Sequence, residues 1–183
     1  MRIIGGFKKG KKLYSPITDS TQPTMDRAKE TLFNMLESWC LQQQIQWNDI
    51  SFLDAFSGSG SIGLEAVSRG VQSIYFMENN PQALKVLNQN LALFDLPATS
   101  KTDATNPPLS VRAMNLIFMD APYGKGLCSK SLLSLLDKGW IDSDTLIIVE
   151  TDKKAPEVIP EKFEKIKERS AGRNLFLFLK TRS

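Results

Sequence analysis

The chain has 183 residues, 42% hydrophobic and 23% charged, with a formal charge of +3, two cysteines and no histidine. One well-formed domain fits that length. The absent histidines exclude a Ser-His-Asp triad, a Cys-His pair and any His-ligated metal, and the distant cysteines Cys40 and Cys128 suggest neither a disulfide framework nor a zinc site. Any catalysis falls to carboxylates, backbone groups and a borrowed cofactor. No apolar run reaches the ~18 residues of a membrane span, and no apolar leader follows the first bases, so a protein of the reducing cytoplasm with no membrane partner is expected.

The charge is uneven. Residues 1–29 carry seven bases against two acids, and the remaining 154 residues carry sixteen against eighteen. A front of +5 on a body of −2 suits a polyanion such as nucleic acid. Residues 1–24, rich in Gly, Lys and Pro, read as a basic arm ahead of a single domain over 25–183.

Thr24 after Pro23 reads as an N-cap, and Asp26 to Gln43 repeats apolar residues at helical spacing. Ile50 to Phe56 reads as a buried strand, followed by a glycine loop and a helix from Ser61 to Arg69 closed by Gly70. A strand follows at Ser73 to Met77. Asn80 and Pro81 then begin a helix reaching Phe94. A weak strand at Ser100 to Thr102, a strand at Asn115 to Met119, a helix at Lys130 to Leu136 and a strand at Thr145 to Glu150 come next. The end reads as a hairpin, Phe163 to Glu168 with Leu175 to Lys180. Strands alternating with helices predict a mostly parallel α/β sheet, with one antiparallel strand from the hairpin.

Two strand ends carry the chemistry. After the first strand, Gly58, Gly60 and Gly63 form G-x-G-x-x-G between strand and helix, where a backbone can approach a ligand closely. That motif alone is shared by NAD-binding domains, methyltransferases and plain turns. Glu78 closes the next strand, eighteen residues after Gly60, where an acid grips ribose hydroxyls. Asp54, four residues before the first glycine, suits a ligand with a cationic end or orders the loop through hydrogen bonds. S-adenosylmethionine has a ribose, a sulfonium and an ammonium, and no phosphate. Asp103 closes the third strand, within reach of an adenine amino group.

The second strand end is Asp120-Ala121-Pro122-Tyr123, directly after the apolar run Leu116 to Met119. Pro122 holds Ala121 extended. The stretch therefore offers the Asp120 carboxylate, the Ala121 carbonyl and the Tyr123 ring. These match the two N–H donors and the π-face of a base bearing an exocyclic amine. A nicotinamide-dependent oxidoreductase would need a further substrate domain, and a plain RNA-binding module leaves residues 120–123 without a purpose.

With these residues the chain resembles the amino-methyltransferases with a (D/N)-P-P-(Y/F) motif, and more closely the bacterial RsmD family. The likeness runs through Met1-Arg-Ile-Ile-Gly-Gly6, Thr21 to Arg27, Leu32 to Leu36, Phe56 to Gly70 and Asp120 to Tyr123. It implies a Rossmann-like methyltransferase fold of seven strands and methylation of guanine N2 in 16S ribosomal RNA, with S-adenosylmethionine as donor and no metal. An adenine-N6 or DNA amino-methyltransferase is the neighbouring alternative. The likeness also implies a catalytic loop at Asp120, Ala121, Pro122 and Tyr123. Donor contacts are expected from Asp54, Phe56, Ser57, Gly58, Ser59, Gly60, Glu78, Asn79, Asp103 and Ala104. RNA contacts are expected from Arg2, Lys8, Lys9, Lys11, Lys12 and Arg27, acting as a monomer on 16S ribosomal RNA or a small-subunit assembly intermediate. The chain departs from the family pattern at Ala121, where a proline is usual, and at Gln22 and Lys29, where arginine is common.

Overall fold

The computed structural model describes residues 1–15 and 22–182, with the backbone alone for 22–25. Six strands form one sheet: β1 (Ser51–Ala55), β2 (Ser73–Met77), β3 (Leu116–Met119), β4 (Leu146–Asp152), β5 (Phe163–Ala171) and β6 (Asn174–Thr181). Their spatial order is β2-β1-β3-β4-β6-β5. β1, β2, β3 and β4 run parallel, and β6 alone is reversed, pairing antiparallel with both β4 and β5. Among the described residues four α-helices, α1 (Gln22–Gln43), α2 (Ser61–Arg69), α3 (Pro81–Ala92) and α4 (Leu127–Asp137), and a short 3-10 turn at Trp47–Asp49 accompany the sheet.

Alternation along each strand divides the core into two faces. Phe52, Phe118, Ile148, Phe176 and Phe178 point one way, onto Leu32, Phe33 and Leu36 of α1. Leu53, Ile117, Met119, Ile147 and Leu177 point the other way, onto Cys128, Leu132 and Leu135 of α4. A third cluster joins Leu64 and Val67 of α2 to Leu87 and Leu91 of α3 and covers them with Ile3 and Leu13.

The expected seventh strand at 100–102 is absent: that stretch runs beside β2 but shares one backbone hydrogen bond, Thr102 N–H to Glu78 O at 3.0 Å. It lacks the buried apolar residues that would hold a strand at the sheet edge. α1 begins at Gln22, so Thr24 falls within its first turn rather than ahead of it, and its side chain lies outside the described residues. α4 starts three residues before the expected Lys130, because Gly126 at φ 63° makes the turn into it.

Residues 1–15 are not a free arm. Arg2 and Lys12 pair across a short hairpin, Ile3 is fully buried, and the Ile4 and Lys8 amides donate to Glu65 and Ser68 of α2. A buried network anchors this hairpin. Lys29 Nζ donates to Arg2 O at 2.6 Å and lies 3.5 Å from Glu65, and Arg69 Nε donates to Glu65 at 3.1 Å.

Candidate active site

Strand alternation places the acids of the sheet's upper end. Asp54 sits two residues above Phe52, Asp120 two above Phe118 and Glu150 two above Ile148, so all three follow the α1-facing side of β1, β3 and β4. Asn174, at the start of β6, follows the same face two residues before Phe176. At each of these positions a polar group replaces the apolar residue that the pattern below would continue.

The glycine loop is held by Asp54 and by Glu78 after β2. Asp54 Oδ2 accepts from the Gly63 amide at 2.9 Å, and Glu78 accepts from the Gly58 amide at 2.8 Å and the Asn80 amide at 2.7 Å. Ser57 Oγ donates to Asp54 O at 2.5 Å. Gly60 turns into α2 at φ 77°, and a Cβ there would lie 2.5 Å from Leu87. Phe56 has φ 63°, a left-handed conformation that costs a bulky residue about 1–3 kcal/mol and clusters at functional sites.

Two cavities meet above these strand ends. The larger, about 500 Å³, is lined by Glu78, Asn79, Asp103, Thr105, Pro122 and Lys125 among others. The smaller, about 250 Å³, is lined by Asp54, Ser57, Ser59, Lys29, Glu150, Asn174 and Phe176 among others. Phe56, Gly58 and Asp120 line both. Asp120 thus stands at the junction, with the Tyr123 hydroxyl 3.5 Å from its Oδ1.

This geometry coincides with a family match across the whole chain. Residues 1–180 match the family model described as conserved hypothetical protein 95. The ribosomal RNA small subunit methyltransferase D of Haemophilus influenzae is 32% identical over 179 residues, covering 94% of this chain and 89% of that protein. Its namesake in Escherichia coli K12 is 33% identical over 178 residues, covering 94% and 85%. The chain belongs to the RsmD family of ribosomal RNA methyltransferases. The solved structure of yhhF from Escherichia coli aligns with a TM-score of 0.77 at 28% identity, over 100% of this chain and 98% of that one. A magnesium protoporphyrin IX methyltransferase from Synechocystis, solved with bound SAM, shares the fold, with a TM-score of 0.64 at 11% identity over 91% and 87%.

The RsmD-family crevice is electrostatically unbalanced. Among the described residues, Asp54, Asp120 and Glu150 form no ion pair. Burial pushes the Asp54 carboxyl up to about 8; the Gly63 amide opposes this, while the charges of Asp120 and Glu78 add to it. Burial likewise raises Glu150, with Asp120 adding to the effect, and raises Asp120 against the Tyr123 hydrogen bond. Asp120 is open to water yet walled by protein on most sides, because it faces the crevice rather than bulk solvent. Asp103 behaves oppositely. Burial raises it, but hydrogen bonds from the Thr105 amide and hydroxyl and from Asn79 outweigh that and hold it low.

Not every expected site residue reaches the crevice. Ala104 packs into the core beneath it, and Ala121 is buried there too. Gly60 lines neither cavity; its place is the turn into α2. Lys8 and Lys9 were expected on an arm over the crevice. The Lys8 amide instead bonds Ser68, seven residues along α2 from Ser61, and its ammonium lies 5.8 Å from the Phe94 ring. At 1.5 Å per residue that is about 10 Å from the glycine loop. Arg2, exposed and 3.0 Å from Asp26, stays at the crevice end with Met1. Arg27 is exposed outside both cavities. Sequence reading missed Glu150 and Asn174. Their signal was present: Glu150 closes Leu-Ile-Ile-Val as Asp120 closes Leu-Ile-Phe-Met and Glu78 closes Ser-Ile-Tyr-Phe-Met.

Proposed function

We propose that this RsmD-family protein transfers the methyl group of S-adenosylmethionine to the exocyclic N2 of a guanine in 16S ribosomal RNA, acting in the cytoplasm. The observation that carries this reading is the position of Asp120 at the junction of two cavities, beside the glycine loop and the acids Glu78 and Asp103 that suit the donor.

The donor set suits S-adenosylmethionine. Glu78 uses one lone pair of each oxygen on a backbone amide, which leaves acceptor capacity for ribose hydroxyls. Asp103, Asn79 and Thr105 line the same cavity and offer polar groups to adenine. The unpaired carboxylates of Asp54 and Asp120 suit a ligand with cationic ends. When bound, the cofactor supplies a methyl group on a positively charged sulfur, taken by the guanine N2 while the electron pair of the broken carbon–sulfur bond stays on sulfur.

The chain's own residues hold the amine in position, and positioning alone removes much of such a barrier. Asp120 accepts an N2–H, stabilises the positive charge that grows on nitrogen and takes the proton that the methylated amine sheds. Tyr123, 40% exposed beside Asp120, presents a face on which the base can stack. The base leaves its own stack to reach them. Arg2, Lys11 and Lys12, with Lys8 and Lys9 further along the hairpin, contact RNA phosphates and set register without reading sequence.

The test is incubation with labelled S-adenosylmethionine and 16S RNA lacking the modification, both free and in small subunits, followed by digestion to nucleosides. Label in N2-methylguanosine is the expected result. Label in N6-methyladenosine, or none in either substrate, would overturn the assignment.

A further inference from the structure

We propose that Glu150, held by Asn174, accepts the N1–H of the target guanine and is the residue that selects guanine over bases lacking that hydrogen. The inference rests on the guanine-N2 reading above and assigns its base choice to a residue outside the Asp120 to Tyr123 loop.

The register makes Glu150 a neighbour of Asp120. Met119 pairs with Val149 in the parallel ladder, so the next residue on each strand shares one face of the sheet, about 4.8 Å apart. Asn174 Nδ2 donates to Glu150 Oε1, which fixes the carboxylate and leaves Oε2 without a protein partner. Tyr123 occupies Oδ1 of Asp120, leaving Oδ2. Two acceptors one strand spacing apart therefore face a common cavity, flanked by the Phe56 and Phe176 rings.

Guanine is complementary to that pair. Its N1–H and N2–H₂ are adjacent donors on one edge. With N2–H directed to Asp120, N1–H falls toward the neighbouring strand, where Glu150 lies. Adenine and 2-aminopurine carry an acceptor lone pair at N1, which a carboxylate repels. The Asp120, Glu150 and Asn174 end of the cavity is left for the base, and its Asp54 to Ser59 end belongs to the donor loop. Burial, with the Asp120 charge adding to it, raises the Glu150 carboxyl to about 8, and an N1–H arriving at its free oxygen stabilises the ionised form. The competing occupant of Glu150 is the donor's ammonium, which would make it a cofactor ligand.

Glu150→Gln separates these. Asn174 still donates to Oε1, so the amide nitrogen faces the cavity and presents a donor where the carboxylate presented an acceptor. The methylated position is first mapped with wild type, and 16S RNA carrying either guanine or 2-aminopurine there is then prepared. Wild type should favour guanine in kcat/KM by about 10⁴-fold, as sites built around a hydrogen bond reject analogues that lack it. In Glu150→Gln the guanine rate should fall by tenfold or more, the 2-aminopurine rate should rise, and the preference should shrink or invert. S-adenosylmethionine affinity should stay within about twofold, a readout that a general loss of structure would move. A variant that keeps the full preference for guanine overturns the proposal, and so does one that loses donor affinity tenfold. If wild type forms no N2-methylguanosine, the function reading fails at the first step, visibly and before any variant is made.

Discussion

Two regions of this molecule bury charge, and they do so in opposite ways. Beneath the N-terminal hairpin, Lys29 and Glu65 are almost inaccessible, and each is matched: Glu65 pairs with both Lys29 and Arg69 and accepts the Ile4 amide, and Lys29 also donates to Arg2 O and Ser61 Oγ. Burial lowers Lys29, and Glu65 and Asp26 offset part of that. In the adjoining crevice, which Lys29 also lines while bound to Glu65, the carboxyls of Asp54, Asp120 and Glu150 form no ion pair among the described residues. Desolvation costs a buried ion several kcal/mol, and in the crevice it shows as the raised carboxyls of Asp54 and Glu150. The first region is compensated within the chain, so it fastens the hairpin to α1 and α2. The second is left for a ligand to compensate, which is the mark of a site.

The sharpest way to break this contrast is Glu65→Ala. It leaves Lys29, Arg69 and the Ile4 amide without their acceptor, and breaking a buried pair costs about 3–5 kcal/mol. Thermal unfolding should shift down on the order of 10 °C in a domain of this size, and the hairpin amides should lose protection from hydrogen exchange. A shift within 2 °C, about 1 kcal/mol or less, would show that the network contributes little.

Asp120→Ala acts on the other region and should leave the fold intact while removing most turnover. Loss of one aligned electrostatic contact costs about 3 kcal/mol, or roughly a hundredfold in kcat. Donor affinity measured by calorimetry should change little. Near-normal methyl transfer would remove Asp120 from the reaction.

A smaller effect reads the unpaired charge directly. Burial pushes the Asp54 carboxyl from its ordinary 3.8 up to about 8 in the folded protein. The folded state therefore binds more protons than the unfolded state between those values, so this group stabilises the protein at low pH and loses that contribution as pH rises through the window. Asp54→Asn keeps an acceptor for the Gly63 amide but cannot ionise. Its melting temperature should rise relative to wild type as pH increases from about 5 to about 8. Parallel curves over that range would mean Asp54 is compensated after all.

The smallest effect on stability and the clearest on RNA comes from replacing Lys8, Lys9, Lys11 and Lys12 with alanine. Each lost phosphate contact should reduce the log–log salt slope by about 0.7–0.9, with donor affinity unchanged. An unaltered slope would place the RNA path on other basic residues, with Arg27, Lys125 and Arg173 next to test.

Most of the elements and half of the site are legible in the sequence. The β2 and α2 bounds, with Gly70 after α2, were readable because apolar period, Asn80-Pro81 and glycine positions are local signals. The G-x-G-x-x-G loop, Glu78 and Asp120 were readable because motif and strand end lie within a few residues of each other. Tertiary structure alone decided which surfaces these residues share. Whether Ser100 to Thr102 would join the sheet depended on burial that only the fold supplies. Lys29 looked like any surface base until the hairpin covered it, and Lys8 looked like crevice charge until docking along α2 carried it away. Glu150 and Asn174 are separated by 24 residues and meet Asp120 only through the order β3-β4-β6. Charge, period and turn chemistry are written residue by residue. Which strand lies beside which is set by packing across the whole sheet, and the second acceptor facing the base is a consequence of that order.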